Sequence, residues 1–182
     1  MDHVWAGWRF TGGAGNAADG RPNVQVDPDD GRTLFEALEQ SDRGDEETYI
    51  VWRGDRCFAI LNVFPYNPGH VMVLPKRAAR SMEDLDAATF DELWRSVRSA
   101  TIAVKRALSP HGVNVGINDG EAGGGSVPDH LHVHVVPRWR SDTNFVTTTA
   151  NTRVLPVALA DTWKMVTDAW PSSPPGTPAF GG

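Results

Sequence analysis

The run Asp129-His130-Leu131-His132-Val133-His134-Val135-Val136-Pro137-Arg138 holds side chains whose types and spacing could do chemistry. Three histidines alternate with apolar residues, and period-two alternation marks a strand. As a strand, the run sends His130, His132 and His134 to one face and Leu131, Val133 and Val135 to the other. Alternate side chains on a strand stand ~6.5 Å apart, so the rings could surround one small anion with the middle ring nearest to it. A buried face rejects three polar rings in a row unless each has a partner, so this face should line a cavity. Three readings are open. One is a solvated strand face. Another is a transition-metal site built on neutral imidazoles. The last is nucleophilic catalysis, with one imidazole attacking phosphorus while its neighbours hold the phosphate oxygens.

Such a strand needs a sheet and a helix to hold it. Residues 33–41 read as a short amphipathic helix, with Leu34 and Leu38 one turn apart. Strands are expected at 48–53 and 56–62, joined by a tight turn over Arg53-Gly54-Asp55-Arg56. Asn62 ends the second of these, and Pro65, Pro68 and Gly69 shape the loop before a third strand at 70–75. The main helix is expected over 86–108, where Phe90, Leu93, Trp94, Val97, Thr101, Val104 and Leu108 recur every three or four residues. Asp84 or Asp86 can cap its start, and Ser109-Pro110-His111-Gly112 stops it. From 113 to 118 the chain alternates again, with Val113, Val115 and Ile117 toward the core and Asn114, Gly116 and Asn118 opposite. If that strand pairs with the histidine strand, Asn118 shares the histidine face. The loop Asp119–Pro128 contains three successive glycines, whose N–H groups can turn toward an anion. Pro137 is expected to end the histidine strand, and Arg138 just after it could reach a phosphate or equally sit in solvent. A last helix is expected over 156–170, with Leu159, Trp163, Val166 and Trp170 on one stripe.

The composition suits one domain with extended ends. Residues 1–32 read as an irregular segment whose aromatic part, Val4 to Phe10, should dock on the domain or on a second subunit. Residues 33–170 form the domain, and 171–182 read as a disordered tail of Pro, Ser and Gly. A net charge of −6 argues against a nucleic-acid partner held on a basic surface, though a local pocket could still bind a nucleotide. Cys57 is the one cysteine, which excludes an internal disulfide and a cysteine-built zinc site; it reads as a small buried hydrophobe. No apolar run approaches a membrane span and no signal peptide opens the sequence, so a cytoplasmic protein without a membrane partner is expected.

His130-Leu131-His132-Val133-His134-Val135-Val136 matches the histidine triad (HIT) pattern, His-φ-His-φ-His-φ-φ with φ apolar, at every position. Upstream, the run from Phe58 through Asn62 and Pro68-Gly69-His70 to Pro75 resembles the first half of a HIT domain of the fragile-histidine-triad branch. Asn118-Asp119-Gly120 and Gly124-Gly125-Ser126 resemble the loop before the triad, so the likeness spans about 48–145. The run from Gly124 to Trp139 is most similar to actinobacterial diadenosine tetraphosphate phosphorylases. The resemblance implies an α+β fold, an antiparallel β-sheet with one long packed helix and a C-terminal helix. It further implies a homodimer or tetramer, with a nucleotide substrate and inorganic phosphate as partners. No tightly bound cofactor or metal is expected, Mg²⁺ at most accompanying the substrate phosphates.

The same resemblance assigns roles. His132 would attack the α-phosphorus and form a nucleotidyl-histidine. A neutral imidazole suits an anionic ester because it brings no negative charge. His130 and His134 would hold the second ring nitrogen and the non-bridging oxygens, and Ser126 with the Gly125 N–H would stabilise charge on the leaving or entering group. Asn62 would contact the ribose, His70 would lie behind the triad, and Asn118 would hold a phosphate. Hydrolases of the fragile branch carry glutamine where Gly125 stands, and Val127-Pro128-Asp129 is one residue longer than their spacer. The missing side chain leaves room beside His132 for phosphate instead of water. The alternatives are a hydrolase of dinucleoside polyphosphates or nucleoside phosphoramidates, a nucleotide-binding regulator without turnover, and a three-histidine metal protein.

Overall fold

The structure, a computed structural model, describes residues 31–120, 123, 127–140, 142 and 157–172. The expectations for the aromatic segment at 4–10, for Gly125 and Ser126, for Pro156 as a helix start and for the tail beyond 172 therefore lie outside the described residues. Among those described, no helix is long and apolar enough to cross a membrane.

Two short helices, α1 (Leu34–Glu39) and α2 (Asp45–Thr48), precede β1 (Ile50–Arg53), β2 (Cys57–Leu61) and β3 (Val71–Pro75). The long helix α3 (Ala87–Leu108) follows, then β4 (Gly112–Ile117), β5 (Val133–Arg138) and α4 (Leu159–Asp168). The strands make one antiparallel sheet in the order β1-β2-β3-β5-β4, so the expected α+β architecture holds. The continuous apolar runs of β2 and β3 are buried along their whole length, as strands covered on both faces must be.

Asp86 caps α3 by accepting from the Thr89 N–H. At 22 residues the helix is ~33 Å long and packs across β2, β3 and β5 through Leu93, Val97, Ala100, Ala103 and Val104. Phe90 and Trp94, expected on the same apolar stripe, are 40% and 37% exposed and meet each other edge to face. Thr89, Ser96 and Ser99 are instead among the buried residues of the helix. β4 departs in the same way. Val113 and Ile117 pack on the core, but Val115 is 44% exposed, because β4 is an edge strand beyond the reach of α3. The Trp163 indole donates to the Ile50 carbonyl at 2.8 Å and Trp170 stacks on Trp52, which docks α4 on β1. Gly69 has φ 78°, and a Cβ there would run into the Leu108 side chain, so only glycine makes the turn that delivers His70.

Candidate active site

The histidine strand is shorter than its sequence pattern. Ladder pairing begins at Val133, opposite Val73 of β3 and Ile117 of β4, so only His134 of the three histidines lies within β5. Upstream of Val133 the backbone has other partners. The Leu131 N–H donates to the Ala79 carbonyl at 2.7 Å, in the segment that follows β3.

The three rings consequently have three different environments. His130 is fully buried. Its Nε2 lies 2.8 Å from the Pro75 carbonyl and its Nδ1 2.7 Å from the Thr33 hydroxyl. A carbonyl only accepts, so His130 Nε2 carries hydrogen and donates. Burial, foremost, holds the His130 ring below the ordinary imidazole value of 6.5, against the opposing pull of the Pro75 hydrogen bond and the Glu36 charge. The expectation that the His130 side chain holds phosphate oxygens is corrected here: both ring nitrogens face protein atoms, inside the fold.

His132 Nδ1 lies 2.8 Å from the backbone carbonyl of His130 and must donate to it. In the neutral ring that leaves the lone pair on Nε2. The second nitrogen of the central ring is thus held by a main-chain oxygen, not by a neighbouring imidazole. The His132 and His134 rings stand 4.7 Å apart at 82°.

The proton on His134 follows from its partners. The Tyr66 N–H donates to His70 Nδ1 at 3.2 Å, so that nitrogen is an acceptor and His70 carries its hydrogen on Nε2. His70 Nε2 lies 2.9 Å from His134 Nδ1 and donates to it. Neutral His134 therefore carries hydrogen on Nε2. The Asn118 amide stands 3.3 Å from that nitrogen, and with the hydrogen there the amide oxygen must face it. The site thus pairs one imidazole nitrogen with a lone pair, His132 Nε2, and one with a hydrogen, His134 Nε2. That is the pairing a nucleophile and an oxyanion donor require.

The other expected residues distribute as follows. Asn118 does share the histidine face. His70 is 1% exposed and meets the site through His134, behind the triad, where it orients that ring. Asn62 donates to His70 Nδ1 at 3.4 Å and accepts from the Phe64 N–H at 2.9 Å, which makes it a strand-end cap beside the cluster. Arg138 is not brought to the histidines. Its guanidinium grips Asp142 with two bonds of 2.6 and 2.8 Å and Asn114 with one of 2.8 Å. That clamp holds Asp142 well below the usual carboxylate range.

Four residues went unnoticed as parts of the site. The Tyr66 ring lies 4.6 Å from His70 and 5.8 Å from His134, and the Phe35 ring meets His130 edge-on at 5.5 Å. Thr33 and Glu36 form a capping box at the start of α1. Their Thr-x-x-Glu spacing signals a helix start, but nothing local says that Thr33 meets a ring 97 positions away. Among the described residues, no group of three or more His, Cys, Asp or Glu side chains could hold a metal ion. The triad rings do not converge on one point, since their ring nitrogens turn to Pro75, Thr33, the His130 carbonyl and His70.

The sequence profile of the HIT domain matches residues 43–141. The chain belongs to the HIT family. A Mycobacterium tuberculosis AP-4-A phosphorylase is 38% identical over 174 residues, covering 96% of this chain and 87% of that protein. A Schizosaccharomyces pombe asymmetrical bis(5'-nucleosyl)-tetraphosphatase is 37% identical over 93 residues, 51% of this HIT protein and 50% of the relative. Among solved structures, a zinc-bound histidine triad family protein from Mycobacterium smegmatis superposes with a TM-score of 0.61 at 25% identity, over 75% of this chain and 91% of the other.

Proposed function

We propose that this HIT protein is a diadenosine tetraphosphate phosphorylase working through a nucleotidyl-histidine. The observation that carries the chemistry is the His132 Nδ1 donation to the His130 carbonyl, because it leaves a neutral ring's lone pair on Nε2. The substrate class rests on the likeness to the mycobacterial phosphorylase along nearly the whole chain. The Nε2 lone pair attacks an α-phosphorus, the bond to the bridging oxygen breaks, and ATP leaves as a stabilised anion. His132 is then a cationic N-phosphorylated ring whose Nδ1–H still rests on a carbonyl oxygen. A phosphate oxygen attacks the same phosphorus, the P–N bond returns its pair to Nε2, and ADP leaves. His134 Nε2–H and Asn118 stand where non-bridging oxygens gather charge. Gly125 and Ser126 provide room and donors for the incoming phosphate in this reading, and Asn62 reaches the ribose.

A hydrolase is the second reading, favoured by the likeness to the fission-yeast tetraphosphatase across the half of the chain that holds the triad. Diadenosine tetraphosphate is incubated with enzyme across a range of phosphate concentrations and every product is resolved. ATP plus ADP, rising with phosphate, is the expected outcome. AMP at every phosphate concentration hands the assignment to the hydrolase. Gly125→Gln should shift the products toward AMP or stop turnover. The open edge of β4, with Asn114, Val115 and Gly116 exposed, supports homodimerisation by strand pairing. A cytoplasmic location completes the proposal.

A further inference from the structure

The start of α1 sets Thr33 and Phe35 against the triad, with Glu36 behind Thr33, and the mechanism above uses none of them. Thr33 Oγ1 lies 2.7 Å from His130 Nδ1 and 3.1 Å from Glu36 Oε2. Glu36 is anchored on both oxygens, Oε2 by the Thr33 N–H at 2.9 Å and Oε1 by the Ala78 N–H at 3.0 Å. Burial raises the Glu36 carboxyl, but the Ala78 and Thr33 donors together outweigh it and keep the group below its usual value, ionised at neutral pH. Phe35, between them in sequence, meets the His130 and His132 rings at 5.5 and 5.7 Å.

The hydroxyl has one hydrogen and two acceptors in reach. His130 Nε2–H is committed to Pro75, so neutral His130 has its lone pair on Nδ1, and the Thr33 hydrogen goes there. Rotation of that hydrogen to Glu36 would leave two lone pairs facing each other at 2.7 Å across Thr33 and His130, unless Nδ1 had gained a proton. The ring is thus locked from both sides, and its peptide carbonyl is the group that orients His132 Nδ1–H.

We propose that Thr33 and Glu36 are positioning residues for the nucleotidyl transfer: they hold His130, whose carbonyl sets the tautomer and aim of His132. Neither touches the substrate; both act through His130. The inference rests on His132 being the nucleophile, but one arm of its test needs no turnover.

In that arm, the side-chain nitrogens of His130 and His132 are followed by ¹⁵N NMR in the resting protein. Wild type should show His130 with hydrogen on Nε2 and a hydrogen-bonded, unprotonated Nδ1, and His132 with hydrogen on Nδ1. Thr33→Val, which keeps shape and removes the hydroxyl, should leave His132 as a mixture of tautomers. In the kinetic arm, single-turnover nucleotidylation should fall ~10- to 100-fold in Thr33→Val with KM within about twofold of wild type, as expected for a misaimed reactive group. Thr33→Ser should restore the rate. Glu36→Gln keeps the helix cap but places an NH₂ against one of two N–H donors, and should show the same split between rate and KM. Should Thr33→Val fail to fold, the Glu36→Gln and Thr33→Ser pair decides alone. An unchanged His132 tautomer in Glu36→Gln or Thr33→Val overturns the proposal, whatever the activity. So does a nucleotidylation rate within twofold of wild type, or a fall in kcat that tracks loss of folded protein and is not rescued by serine.

Discussion

His70→Phe tests the proton assignment on which the site depends. The ring is 1% exposed, so phenylalanine replaces it with little change in volume. Three hydrogen bonds disappear: Tyr66 N–H to Nδ1 at 3.2 Å, Asn62 to Nδ1 at 3.4 Å and Nε2–H to His134 Nδ1 at 2.9 Å. Asn62 is only half-buried and can turn to water. His134 Nδ1 loses its partner in a buried place, at about 1–3 kcal/mol, and the half-buried Tyr66 N–H adds less. The more apolar ring offsets part of this, so we expect a net loss of about 1–3 kcal/mol in a urea titration. The kinetic consequence is separate. Without the His70 donor, His134 is free to place its hydrogen on Nδ1 and present a lone pair to phosphate oxygens. Losing an oxyanion donor of this kind costs about 10²- to 10³-fold in kcat. Single-turnover measurement at saturating diadenosine tetraphosphate reads it. Stability within about 1 kcal/mol of wild type, together with a rate within threefold, would refute the relay from Tyr66 through His70 to His134.

His132→Ala should lower kcat by about 10⁴- to 10⁶-fold while nucleotide binding persists, and no labelled nucleotide should remain on the denatured protein; a stable adduct elsewhere moves the nucleophile. The His130 ring should stay neutral through pH 6.5 in an NMR titration of the folded protein, since burial depresses it. The unfolded chain then takes up this proton first, so the His130 contribution to stability is fully present above about pH 6.5 and is lost as pH falls through the folded value. A melting temperature that rises over that interval on acidification contradicts this sign. Burial pushes the Cys57 thiol up to about 12, so an alkylating reagent should label it only in denaturant. Rapid labelling of the native protein would place Cys57 outside the core.

Much of this protein is written locally. The apolar runs of β2 and β3, the spacing along α3 with Asp86 at its cap, and Gly69 at its turn all declare themselves within a few residues of each other. So does the triad, whose residue types announce imidazole chemistry and whose pattern carries the family. Period-two alternation, however, treats His130, His132 and His134 alike, and the fold does not. β4 runs out at Ile117, opposite Val133, and although β3 continues to Pro75 the Leu131 N–H goes to the Ala79 carbonyl beyond it, so the ladder stops at Val133. His130 turns inward onto the Pro75 carbonyl and Thr33, while its own carbonyl takes the second nitrogen of His132. Phe90, Trp94 and Val115 leave the faces their spacing suggests, and Arg138 settles on Asp142 and Asn114, for the same reason: what covers or pairs a side chain comes from elsewhere in the chain. A residue's type and spacing determine what it can do. For His130 and His134, which atom carries the hydrogen, and toward what, is decided by partners tens of residues away that only tertiary packing brings within 3 Å.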